Sequence, residues 1–139
     1  ELFDILPNDF LYPIEGRHES WFTDNALNYF KQKKYCLVWN VVEGVNNPFP
    51  ITSDYLYLRL IGDRSISDKQ FGAVRKNKSD FIKKWAQKLI GISDIPLAMV
   101  MANNHFEGFG PATANTLGEN LGRRELMWES KKQKTIGNF

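Results

Sequence analysis

Cysteine is nearly absent from this chain. The single residue, Cys36, excludes an internal disulfide and fits a reducing compartment. It stands inside an apolar run, so it reads as a core thiol rather than a nucleophile. Histidine is almost as scarce, with only His18 and His105, and no His-x-x-x-His spacing marks a zinc helix. Charge of one sign is missing too. Against 18 Lys and Arg stand 16 Asp and Glu, and the net +2 gives no general pull towards nucleic acid or a membrane surface. No apolar run reaches the length of a spanning helix, and no signal-peptide pattern opens the chain. The expected setting is cytoplasmic, with no membrane partner. The chain opens at Glu1 without an initiator Met and reads as processed, truncated or incomplete.

What is present suits one ordinary domain: 139 residues, 42% of them apolar. Four short apolar stretches read as strands, near Leu11–Gly16, Tyr35–Trp39, Tyr55–Ile61 and Leu97–Asn103. In the third, Leu56, Leu58 and Leu60 share one face, and Tyr55, Tyr57, Arg59 and Ile61 share the other. Between them lie helical stripes. Thr23 caps Asp24 to Lys34, and Phe81, Ile82, Trp85, Ala86, Leu89 and Ile90 line a helix that opens at Ser79. Alternation of strand and helix predicts βα units, parallel strands and helices on one outer side. By count this is half of a (β/α)8 barrel, since a whole one takes about 250 residues.

The stretch Met101–Pro111 carries the densest chemistry. An apolar strand ends; Asn103, Asn104, His105 and Glu107 follow at once; Gly108 and Gly110 loosen the backbone; and Pro111 suits the first turn of a last helix ending near Gly122. Parallel α/β sheets and barrels place their sites at such carboxyl-end junctions.

Four segments occur in order: Glu15–Trp21, Tyr57–Arg64, the Phe81-to-Leu89 helix with Trp85-Ala86, and Asn103–Pro111. Together they resemble the YecE-like family, catalogued as domain of unknown function 72, over nearly the whole chain up to Leu121. The resemblance implies a TIM-type barrel, of which this chain would be the C-terminal half, about four βα units in residues 1–122. Residues 123–139 would form a tail, partly docked through Leu126, Met127 and Trp128 and then basic. The family's activity is unassigned. The chain departs from the family at Gly16, where a bulky apolar residue is usual, and at Phe106, where Tyr is common. The family's N-terminal half is missing.

With that resemblance, His105, Glu107 and His18 are the candidates for acid/base chemistry, since imidazole and carboxylate handle protons near neutrality. His105 and Glu107 also suit a divalent metal; the bland alternative is a loop whose polar groups satisfy its own backbone. Asn103 and Asn104 offer amides to a ligand oxygen or serve as turn residues. Arg59 either clamps an anion or forms an internal ion pair with Glu15. Arg17 beside them and Trp21 complete the expected ligand-binding set, although Trp21 reads equally as core.

Two functions follow from this set. The first is an acid/base or metal-assisted hydrolase or isomerase for a small oxygen-rich ligand, phosphorylated or sugar-like. The second is a non-catalytic module that binds nucleic acid or protein. A half-barrel alone exposes strand edges and an apolar inner face. The expected partner is therefore a second copy of the chain or the missing N-terminal half.

Overall fold

The computed structural model describes residues 3–7, 9–42, 48–62 and 64–124. Residues 125–139 lie outside the described residues, and with them most of the expected tail, including Leu126, Met127 and Trp128.

Among the described residues every strand pair is parallel and joins strands adjacent in sequence. β1 (Pro13–Ile14) pairs with β2 (Cys36–Leu37). β3 (Trp39–Val41), β4 (Tyr55–Leu60) and β5 (Leu97–Ala102) form a second sheet in that order. Both sheets are open. The second expected strand is divided at Val38, and the buried side chain of Thr52 shows why. Its hydroxyl accepts from the Leu37 N–H at 2.8 Å and donates to the Tyr35 carbonyl at 2.8 Å. A side chain thus serves the edge that β4 would otherwise fill, and the ladder to β4 starts only at Trp39. The first strand is shorter than expected; its ladder joins the Cys36 N–H to the Tyr12 carbonyl and the Val38 N–H to the Ile14 carbonyl, and Pro13, whose nitrogen faces away from β2, is tolerated as its first residue.

Helix α1 (Asp24–Lys33) starts where the Thr23 hydroxyl accepts from the Ala26 N–H, and it ends at Lys34 in the left-handed region. α2 (Ser79–Ile90) follows a long polar segment. After β5 comes a helix invisible in the apolar pattern, α3 (Asn104–Glu107), and then α4 (Gly110–Asn120). The leucines of β4 face the helices: Leu56, Leu58 and Leu60 pack with Ile82 and Trp85 of α2, Phe106 of α3 and Leu117 of α4. Side chains as fully buried as Leu58, Leu60 and Ile82 each contribute roughly 1.5–3 kcal/mol. A smaller core joins Phe30 of α1 to Tyr35, Leu37 and Trp21. The Lys88 ammonium lies 4.2–4.9 Å from the rings of Phe49, Trp39 and Trp85, a cation–π contact that ties α2 to the sheet, and burial lowers its pKa.

The opposite face of the sheet is open. Met101 is 55% exposed and Leu97 44%. At the amino end of this face Cys36 is buried, which raises its thiol pKa, in keeping with a core thiol. Next to it the Tyr55 hydroxyl is buried without a hydrogen-bond partner. Burial pushes this phenol up to about 12, the nearby Cys36 thiol adds to the rise, and the Cys36 backbone, outside hydrogen-bonding geometry, opposes it. An unfolded tyrosine ionises near 10, so unfolding between pH 10 and about 12 releases a proton. Stability contributed by Tyr55 is therefore full below pH 10 and is lost as pH rises towards 12. Tyr55→Phe is expected to flatten this alkaline decline by up to about 1.4 kcal/mol per pH unit, with no loss at pH 7. Urea melts of both proteins from pH 7 to 11.5 check it; parallel curves would contradict the burial argument.

Candidate functional site

Glu15 stands one residue beyond β1, Arg59 near the end of β4, and Asn103 directly after β5. They meet at the carboxyl ends of the strands in a cleft of about 330 Å³, with Tyr57 and Met101 on its walls. The Glu15 carboxylate accepts from two guanidiniums. Arg17 puts Nε and Nη2 on Oε1, each at 2.7 Å, and Arg59 puts Nη1 on Oε2. Arg17 is the exposed member, at 71%, while the Arg59 and Glu15 side chains are 32% and 19% exposed. Pairs so sheltered from water interact more strongly than surface pairs.

Register explains the gathering. Asn40, Arg59 and Met101 are aligned across β3, β4 and β5, so their side chains share the open face. Asn40 is buried, and its amide donates to the Gly16 carbonyl at 3.2 Å, which fixes the turn after β1. Neither Asn40 nor Tyr57 is singled out by the sequence pattern. The available signal was a lone amide within the apolar run from Tyr35 to Val42.

The remaining candidates are occupied elsewhere. Glu107 is 4% exposed: Oε1 accepts from the Lys78 N–H at 3.0 Å, Oε2 from the Thr113 hydroxyl at 2.7 Å, and its carbonyl from Arg75 and Lys76. It joins the segment before α2 to the start of α4. The His105 ring donates from Nδ1 to the Ile66 carbonyl at 3.0 Å, which leaves Nε2 at 3.9 Å from Asp68 and the ring edge-on to Phe71. Asn104 accepts from the Gly110 N–H at 2.8 Å and so closes the turn into α4. Asn103 has a double position: its Oδ1 accepts from the His105 N–H at 2.9 Å, and its side chain also lines the cleft. His18 accepts through Nδ1 from the Ser20 N–H at 3.2 Å and caps the 3-10 turn Glu19–Phe22. Trp21 stacks on Phe30 with ring centroids 5.9 Å apart. A Cβ on residue 16 would lie 2.7 Å from Trp21, so the departure at Gly16 is the space this indole takes. The structure thus joins Glu15, Arg17, Arg59 and Asn103, and gives His18, Trp21, Asn104, His105 and Glu107 contacts in the surrounding turns. Among the described residues no group of three or more His, Cys, Asp or Glu side chains is placed to hold a metal ion. No helix among them is long and apolar enough to cross a membrane.

The model of a family described as protein of unknown function DUF72 matches residues 1–136. The chain belongs to that family. DUF72 is the YecE-like family that the motifs resemble. A DUF72 family protein from Thermotoga maritima superimposes with a TM-score of 0.65 at 18% identity, covering 83% of this chain and 47% of its own. One from Enterococcus faecalis gives 0.64 at 21% identity, covering 84% and 50%. At these identities the likeness concerns the fold alone. Among curated proteins none matches. The chain spans about half the length of the solved DUF72 relatives it matches.

Proposed function

We propose that this DUF72 chain forms half of a (β/α)8 barrel and that its Glu15–Arg59 cleft holds a small oxygen-rich ligand, phosphorylated or sugar-like, for acid/base or metal-assisted hydrolysis or isomerisation. The observation that carries the reading is the cleft itself. A guanidinium, a carboxylate and an amide from three strand ends converge on one partly sheltered space. Barrels concentrate chemistry at that end of their strands. The barrel reading draws on four things: parallel order, helices packed on one face, an open apolar face, and relatives about twice as long. The strands that cover Met101 and Leu97 would come from an N-terminal half or from a second copy. Glu15 is the proton-handling group nearest the ligand. His18 and His105 flank the same end and set the turns around it, and Glu107 holds the frame.

The test is a thermal-shift screen of divalent metals and small metabolites on the intact protein. A ligand held at about 100 times its Kd adds about 2.7 kcal/mol to the native state. At least one oxygen-rich metabolite is expected to raise Tm by several degrees, and a blank screen at millimolar concentrations would remove the reading.

A further inference from the structure

We propose that the cleft binds its ligand through an oxyanion, a carboxylate or a phosphate, held by Arg59 together with the Asn103 amide and the Tyr57 hydroxyl. This rests on the ligand-site reading above and gives the ligand's recognised group.

The argument is one of donors and charge. A guanidinium carries five N–H donors in a rigid fork. Arg59 uses Nη1 on Glu15, and among the described residues its other donors have no partner. Glu15 does not need Arg59 for charge balance, because Arg17 already forks onto its other oxygen with two donors. One carboxylate against two guanidiniums leaves a surplus positive charge, and Arg59, the less exposed of the two, carries it into the cleft. A structural ion pair would need one arginine.

The neighbours point the same way. Asn103 spends its oxygen on the His105 N–H, which leaves its NH2 group as the end that can meet a ligand. Tyr57 lines the same cleft, and its hydroxyl has no partner among the described residues. Among the described residues Glu15 is the only carboxylate lining the cleft, and it is engaged through both oxygens. The free polar groups are thus mainly donors, the complement of an oxyanion, and the guanidinium fork matches carboxylate and phosphate alike.

Isothermal titration of the intact protein with inorganic phosphate, malonate and uncharged ribose, at fixed ionic strength, tests this. Either anion is expected to bind. Preference for phosphate identifies a phosphorylated ligand, and preference for malonate a carboxylate one. Arg59→Lys keeps the charge but not the fork and is expected to weaken binding roughly 10- to 100-fold. Asn103→Asp keeps the oxygen that serves His105 and turns the amide into a second acceptor, so it is expected to abolish anion binding in a folded protein. Tyr57→Phe removes one hydroxyl and is expected to cost about 3- to 10-fold even if Arg59→Lys fails to fold. Anion binding unchanged in Tyr57→Phe and Asn103→Asp would overturn the inference. Binding of ribose without either anion would overturn it too, yet leave the ligand-site reading standing. No binding of any probe, with a blank metabolite screen, would remove both.

Discussion

Glu107→Ala is expected to destabilise the fold by about 3–5 kcal/mol, a large part of an ordinary domain's stability. The carboxylate is 4% exposed and receives the Lys78 N–H and the Thr113 hydroxyl. Hydrogen bonds to charged groups contribute about 1.5–3 kcal/mol each, and truncation takes the carboxylate from the part-buried Lys78 N–H and leaves the buried Thr113 hydroxyl only the long contact to the Phe109 carbonyl. Glu107→Gln separates this frame role from proton transfer. Its amide oxygen still serves Lys78, and Thr113 can turn its hydroxyl to the Phe109 carbonyl, now at 3.4 Å. The expected loss for Gln is therefore only about 1–2 kcal/mol. Chemical denaturation of the variants, with and without a ligand found by the screen, checks both points. A Gln variant with wild-type stability and no ligand-dependent chemistry would return Glu107 to the catalytic group.

Gly62→Ala is expected to cost about 3–5 kcal/mol as well, by a different route. Gly62 follows β4 with φ +85°, and a Cβ there would lie 2.3 Å from the His105 carbonyl oxygen and 2.8 Å from the Phe106 Cα. Those atoms belong to backbone and cannot rotate away. The alanine must both enter the left-handed region and push α3 off the end of β4. Gly72→Ala is the control, because Gly72 has φ +98° with nothing within 4 Å of the added atom. It meets only the conformational penalty, about 1 kcal/mol. Thermal melts of the two variants should therefore differ by several degrees. Equal melts would mean that the approach of α3 to β4 is slack.

Local patterns carried the parallel strands, the helices packed against the sheet and the family. Period-two leucines in β4 and the stripe from Phe81 to Ile90 state which faces are buried, and such patterns are local. The partnership of Arg59 with Glu15 was also legible, because a half-buried guanidinium needs a carboxylate and few stood at strand ends. Tertiary structure alone decided the rest. Thr52 divides the second strand through a contact between residues far apart in sequence, which no local pattern encodes. His105 and Glu107 sit in the most suggestive stretch of the chain, yet what each does depends on where Ile66, Lys78 and Thr113 arrive. Asn40 reached the Gly16 carbonyl and Tyr57 the cleft wall through strand register, which aligns residues by hydrogen bonding between chain segments rather than by sequence distance.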